Sequence, residues 1–480
     1  MRRIITLCLC TLLLCAPALA ETFAVNAGEN ALLLTDAGEA LTEWGEYAAA
    51  SRISPPDCPP ERALFIAAPV LTSLPDAYGD WPMAGYRLLN AQGGPVGDGL
   101  YTSAVHVPEA GVVAVWKGML AGVIAEDGTE ILPCTFGGVF CCGDGSFFAT
   151  PQETFVYDSG DDSYAIAASL WRYGADGSVT DTGLTVQPYL YGTFSEGLMP
   201  IGAQTADGLR YGYIDAAGGV AIGFTLDYAE DFRDGYASAR LPEGKAGLLR
   251  PDGTWALEPI YDSIGYSWGE GGSFYAQRGN TVDLIDRATL ETVASFDFPD
   301  AGYVYAYELN AAVIVINAGD EQLGMGMDGD VIFRGRTGSP NVTCFFTDCE
   351  GVPGRLAVST GEWPQETYFL TDLRLRRVAG PYRRIEGGLW WKDGEGCFLI
   401  CDFDTYEETQ DGVTWVYPVA SSYVYGVIDQ DGNEVLPLSY NSIQYLSPGR
   451  YWVRRGETWA LVDAEGNALY EISEYVDLMD

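Results

Sequence analysis

Five segments of the chain repeat one pattern. YGYIDAAGG from Tyr211, AGLLRPDG from Ala246, YGVIDQDG from Tyr425, WALVDAEG from Trp459 and AGVIAEDG from Ala121 share it. Each places a small residue (Gly212, Gly247, Gly426, Ala460, Gly122) six positions before a turn glycine (Gly218, Gly253, Gly432, Gly466, Gly128). Three copies continue as ILPCTF, LEPIYDSI and VLPLSYNSI, with an aromatic residue 14 positions after the small one at Phe136, Tyr261 and Tyr440. Adjacent copies lie 35 and 34 residues apart. A fixed period of this length belongs to solenoids and propellers, whose units bury their apolar faces only against their neighbours.

The unit itself is β-rich. A short β-rich run such as Tyr213-Ile214-Asp215 meets an Asp/Asn/Gly turn, where glycine supplies the positive φ of a tight hairpin, and a second, apolar run returns. An alternating run such as Tyr451-Trp452-Val453 follows a further glycine turn (Gly235, Gly449), so up to four short strands fit in ~35 residues. Weaker copies end at Gly38, Gly93, Gly177 and Gly329 and run around Asp286 and Asp372, which makes about eleven units. The spacing predicts an all-β fold of tandem repeats of ~35–42 residues built from short antiparallel strands, either β-propeller-like blades or an open β-solenoid.

The segments YGYID at 211–215, YGVIDQDGNEVLPLSYNSI at 425–443 and WALVDAEG at 459–466 resemble the WG-repeat family of bacterial proteins. No copy here keeps Trp followed directly by Gly: Tyr425-Gly426 has lost the Trp and Trp459-Ala460 has lost the Gly. The resemblance implies a binding or structural role in the cell envelope or as a scaffold. It offers no catalytic residues to carry over. The expected organisation is a leader at 1–20, degenerate β repeats at 21–110, WG-like repeats at 111–300, degenerate repeats with insertions at 301–420, and WG-like repeats at 421–480.

Arg2 and Arg3, the apolar run Ile4 to Cys15 and Ala18-Leu19-Ala20 read as a signal peptide cleaved after Ala20, so the mature protein is expected to be secreted or in the cell envelope. Acylation at Cys15 is disfavoured by bulky Leu14 before it. Eight cysteines then remain, Cys58, Cys134, Cys141, Cys142, Cys344, Cys349, Cys397 and Cys401, with no C-x-x-C pair; they read as buried thiols or one or two disulfides. Cys397 and Cys401 would share one strand face, and adjacent Cys141 and Cys142 would point to opposite faces.

The net charge of -41 opposes binding to a phosphate backbone, so nucleic acid is not expected as a partner, and no later segment is apolar enough to insert as a membrane-spanning helix. The single histidine, His106, removes most zinc, Ser-His-Asp and Cys-His chemistries and reads as a strand residue. Acidic clusters at Asp158, Asp161 and Asp162, at Asp402, Asp404, Glu407 and Glu408, and at Asp227, Glu230, Asp231 and Asp234 could hold Ca²⁺, but lack the EF-hand spacing and read as solvated faces. No cofactor is expected. The recurring Asp215, Asp429 and Asp463 read as turn residues, since a catalytic acid has no reason to recur in each unit.

Aromatic residues are the better functional clue, because exposed rings beside carboxylates hold sugar rings and extended peptides. Trp268, Trp390, Trp391, Trp415, Trp452 and Tyr423 fall outside the repeated core motif and are the candidate ligand-binding residues, whereas Tyr261 and Tyr440 belong to the core. The expected function is an exported, non-catalytic binding or scaffold protein for a protein, peptide or glycan partner. The alternative is a carbohydrate-active hydrolase using an Asp/Glu pair.

Overall fold

The computed structural model describes residues 21–69, 85–118, 120–151, 153–158, 163–187, 194–266, 272–310, 313–336, 354–361, 363–392, 395–410 and 413–473. The leader lies outside them, as do Cys344 and Cys349. The described chain contains no α-helix; it is a succession of small antiparallel sheets in chain order.

Eleven units account for these sheets. Unit 1 consists of Thr22–Ala27 and Asn30–Thr35; unit 2 of Tyr47–Arg52, Leu64–Pro69, Tyr86–Asn90 and Pro95–Tyr101; unit 3 runs from Ser103 to Phe136. Unit 4 runs from Gly138 to Val186, unit 5 from Leu198 to Leu226, unit 6 from Tyr228 to Tyr261 and unit 7 from Ser263 to Asp297. Units 8, 9, 10 and 11 run from Val304 to Arg336, Arg355 to Tyr382, Arg384 to Tyr440 and Ser442 to Ser473. A full unit has four strands, as in Ser442–Ser447, Arg450–Arg455, Thr458–Val462 and Ala468–Ser473.

The repeated motif is the hairpin between third and fourth strands. At Asp215 the carbonyl accepts the Gly218 N–H and the Asp215 N–H donates to Gly219 O, both at 2.9 Å, a type I turn with glycine in the left-handed bulge position. The carboxylate of Asp215 also accepts the N–H groups of Ala217 and Gly219, and Asp429 and Asp463 repeat this arrangement. Turn chemistry is therefore what the recurring aspartates do. The glycines keep φ from 76° at Gly93 to 90° at Gly128, and in the two glycine-free copies Leu290 and Leu375 take φ of 57° and 58°.

The second and third strands are buried on both faces because a sheet lies on each side, whereas the fourth alternates, as Glu130–Phe136 and Val220–Leu226 do. Between consecutive units lies one apolar core. Phe65 meets Leu33 between units 1 and 2, Tyr213 meets Phe232 between units 5 and 6, Phe274 meets Leu248 between units 6 and 7, and Tyr451 meets Val427 between units 10 and 11. Tyr261, Tyr440 and Phe136 sit in these cores, 8%, 6% and 8% exposed.

The series closes on itself. Phe23, Val25, Ala27, Leu32 and Leu34 of unit 1 pack against Trp452 and Leu461 of unit 11, forming the eleventh core. Trp452 Nε1 donates to Asn26 O and Arg450 Nε to Asp36 O, each at 2.9 Å. Each large apolar side chain there would otherwise face water, at about 1.5–3 kcal/mol apiece. The sequence left an open superhelix and a ring as alternatives; the contacts make a cycle of propeller-like sheets.

Candidate functional site

A concavity lies where units 5, 6 and 7 meet. It encloses about 570 Å³, opens to solvent, and is lined by Tyr211, Tyr228, Tyr236, Tyr266 and Tyr275 together with Glu230, Asp231 and Arg233. Tyr211 precedes the motif glycine of unit 5, Tyr228 opens the first strand of unit 6, and Tyr266 and Tyr275 come from the first two strands of unit 7.

The segment 230–236 is fixed from below. Phe232 is fully buried against the ring of Tyr213, 4.7 Å between centroids, and the Tyr213 hydroxyl donates to Glu230 O at 2.8 Å. Arg233 and Tyr236 exchange backbone hydrogen bonds, and the Glu196 carboxylate accepts the Gly235 N–H. At the rim, Tyr266 donates to Asp234 Oδ2 at 2.5 Å and Arg287 reaches both partners, at 2.6 Å and 3.2 Å. Asp227 pairs with Arg240, whose guanidinium lies over the Tyr228 ring.

Withdrawal from bulk water raises the Glu230 carboxyl above its ordinary range, Arg233 opposes this, and Asp231 adds to it. Burial likewise raises the phenols of Tyr228, Tyr266 and Tyr275, which stay neutral donors. The arrangement offers aromatic faces, hydroxyls, two acids and one guanidinium to a ligand, and covalent chemistry is not required of any of them.

The sequence-selected residues do not gather here. Trp268 lies outside the described residues. Trp390 and Trp391 fall on the strand Arg384–Lys392, with their side chains outside the described part. Trp415 is 56% exposed on a two-stranded ribbon, Thr405–Gln410 paired with Val413–Pro418, that projects from unit 10. The register puts Tyr406 opposite Tyr417 and Glu408 opposite Trp415, which makes one aromatic face. Beside the ribbon, Tyr423 stacks on Phe403 at 4.6 Å, and Phe403 on Trp363 at 6.0 Å. Trp452 is corrected: it is fully buried in the ring-closing core and presents nothing to a ligand.

The acids and thiols resolve differently. Among the described residues, no group of three or more His, Cys, Asp or Glu side chains is placed to hold a metal ion. Asp161 and Asp162 lie outside them. Among the described residues Cys58, Cys134, Cys141, Cys142 and Cys401 are free thiols, with Cys141 in the core between units 3 and 4 and Cys142 in the next, on opposite faces as adjacent residues of an extended chain require. His106 is 3% exposed in the strand Ser103–Val107. Its Nδ1 lies 2.7 Å from Ser54 Oγ and its Nε2 2.8 Å from Glu126 Oε1. Ser54 Oγ also accepts the Leu64 N–H, and the Glu126 carboxylate accepts from the imidazole Nε2. Arg62 completes the chain on Glu126, tying unit 2 to unit 3.

No curated protein matches the chain. Among solved structures it is similar to a eukaryotic initiation factor, at 9% identity and TM-score 0.43 over 81% of this chain and 93% of that one. It is also similar to BamB from Moraxella catarrhalis, at 10% identity and TM-score 0.29 over 67% and 92%. A third is Hsv2 from Kluyveromyces lactis, at 10% and 0.26 over 56% and 98%. At the level of sequence, residues 211–245 and 425–459 match the WG containing repeat, the family that the repeated motif resembles.

Proposed function

We propose that the protein is an exported, non-catalytic binding or scaffold protein whose ring presents the tyrosine-lined cavity of units 5–7 to a glycan or an extended peptide. One observation carries this reading: five tyrosines from three consecutive units converge on Glu230, Asp231 and Arg233 around an open cavity of about 570 Å³. Rings that stack on sugar or peptide faces, with hydroxyl and charged groups between them, suit a polar chain molecule. The net charge of -41 disfavours anionic ligands.

The test is titration of residues 21–480 with cell-wall and dietary polysaccharides and with extended peptides, with and without Ca²⁺, repeated on Tyr228→Ala and Tyr275→Ala. Saturable binding weakened tenfold or more by both substitutions supports the reading; binding insensitive to them moves the site elsewhere.

A second reading has its own observation. Glu230, with its raised carboxyl, and Asp231 border one cavity, as the two acids of a glycoside hydrolase do. Release of reducing ends that disappears in Glu230→Gln would favour it over simple binding.

A further inference from the structure

Six joints between consecutive units follow one rule. The fourth strand ends, a single residue intervenes, and the first strand of the next unit begins: Tyr101 to Ser103, Phe136 to Gly138, Leu226 to Tyr228, Tyr261 to Ser263, Tyr382 to Arg384, and Tyr440 to Ser442. The second residue of the new strand is apolar each time, Ala104, Val139, Ala229, Ile264, Ile385 and Ile443, and packs into the core shared with the preceding unit. Its register is constant too. Ile443 lies opposite Val453, which lies opposite Ala460, the small residue six before the turn glycine; Ala229, Ala239 and Gly247 repeat this, as do Ala104, Val115 and Gly122.

Unit 1 has no strand in this first position among the described residues. Thr22–Ala27, its second-position strand, is paired along its length only with Asn30–Thr35. On its other side runs a groove of about 250 Å³, walled by Thr22, Phe23, Ala24 and Asn26, by Ala50 to Arg52 and by Gln444 to Leu446. The last two segments belong to the first strands of units 2 and 11, the neighbours on either side. In the groove wall Arg52 Nε is buried without a hydrogen-bond partner, although the other guanidinium nitrogens bond Glu21, Pro55 O and Cys58 O.

The chain carries a segment that fits. The fourth strand of unit 11 ends at Ser473, and in sequence Glu474 and then Tyr475-Val476-Asp477-Leu478-Met479-Asp480 follow, so that by the same count Glu474 would be the joint residue. Val476 falls on the apolar second position and Leu478 two residues on, the spacing of Ile264 with Tyr266 and of Ile443 with Tyr445. Six extended residues span ~20 Å, enough for a full strand. We propose that Tyr475–Asp480 docks as the first strand of unit 1, antiparallel to Thr22–Ala27, so that backbone pairing joins the two ends of the chain. By the shared register Val476 stands opposite Val25, whose partner Leu32 lies six before Gly38, and Asp477 stands opposite Ala24. The added strand would bring backbone carbonyls into the groove that Arg52 walls.

The test is a cross-link in the full mature chain. Ala24→Cys with Asp477→Cys is expected to form a 24–477 disulfide on mild oxidation, read by mass spectrometry of proteolytic fragments. Ala24→Cys with Val476→Cys, whose side chains would project from opposite sheet faces, is expected not to. Removal of residues 474–480 should lower the thermal midpoint by several degrees, and a synthetic Glu474–Asp480 peptide should restore it. Absence of the 24–477 bond overturns the proposal. So does a truncated chain that melts as the full chain does, or whose groove takes unrelated extended peptides equally well, which would make it a partner's site.

Discussion

Trp452 of the last unit donates its indole N–H to the backbone carbonyl of Asn26 in the first, 2.9 Å away and 426 residues earlier in the chain. The same ring stacks on Trp459 at 5.8 Å and is wholly withdrawn from water. Trp452→Ala is expected to cost about 3–5 kcal/mol, the range for a large aromatic truncated in a core. Trp415→Ala, on the exposed ribbon, should stay within ~0.5 kcal/mol. Guanidinium denaturation of both variants checks the contrast; equal losses would sink the assignment of Trp452 as the ring's clasp.

Two turn glycines of nearly equal conformation separate backbone strain from crowding. Gly177 and Gly432 have φ of 82° and 83°, but a Cβ at 177 meets nothing within 4 Å, whereas one at 432 falls 2.4 Å from Ala379 Cβ in the neighbouring unit. Gly177→Ala is expected to cost about 1–2 kcal/mol, the penalty of the left-handed region alone. Gly432→Ala should cost clearly more, because units 9 and 10 must part. Thermal midpoints of the two variants provide the measurement.

Acid should loosen the fold through its carboxylates. Burial pushes the Glu126 carboxyl up, but hydrogen bonds and charge from Arg62 and His106 outweigh it and hold the group below its ordinary value. Turn hydrogen bonds likewise depress Asp144 and Asp463, and Lys245 with the Gly279 N–H depresses Asp262. A depressed folded-state pKa stabilises above the unfolded value and is lost as pH falls through the folded one. The stability these depressed groups contribute is therefore expected to decline as pH falls below about 4.5. Glu126→Gln should be less stable at pH 7 and show a shallower acid limb.

The buried thiols should be inert in the folded chain. Burial pushes Cys141 and Cys401 up to about 12 and Cys142 to about 11, so almost none is thiolate near neutrality. Iodoacetamide at pH 7.5 is expected to leave all three unmodified until denaturant is added, which peptide mapping can follow. Rapid native labelling of Cys142 would contradict its place in the core between units 4 and 5.

Local chemistry was readable from sequence to the extent that it repeats. The Asp-to-Gly turn, the aromatic 14 residues after the small one and the opposed faces of Cys141 and Cys142 all follow from neighbouring residues, and the structure has each. Where leucine replaces glycine, the copy around Asp372 folds as the same hairpin and the copy around Asp286 as a hairpin one residue longer. Closure could not be read this way, since it depends on Val25 and Leu32 meeting Trp452 and Leu461 across the whole chain. The position of Trp452 was obscured by its strand, Tyr451-Trp452-Val453, which is buried on both faces and so gives no inside-outside alternation. The cavity was missed because its tyrosines come from three units, each unremarkable alone. The one available signal was the crowding of Asp227, Glu230, Asp231 and Asp234, which sequence reading assigned to solvent.

A cycle of cores also limits how such a protein can change in evolution. An open array gains or loses a unit by duplication or deletion, and the remaining interfaces are untouched. Here Phe23 and Trp452 must still meet, so an added unit would require every existing interface to alter its angle at once. Copy number is thereby locked while individual units drift, which accounts for turns as different as Ala216-Ala217-Gly218 and Arg287-Ala288-Thr289 coexisting in one ring.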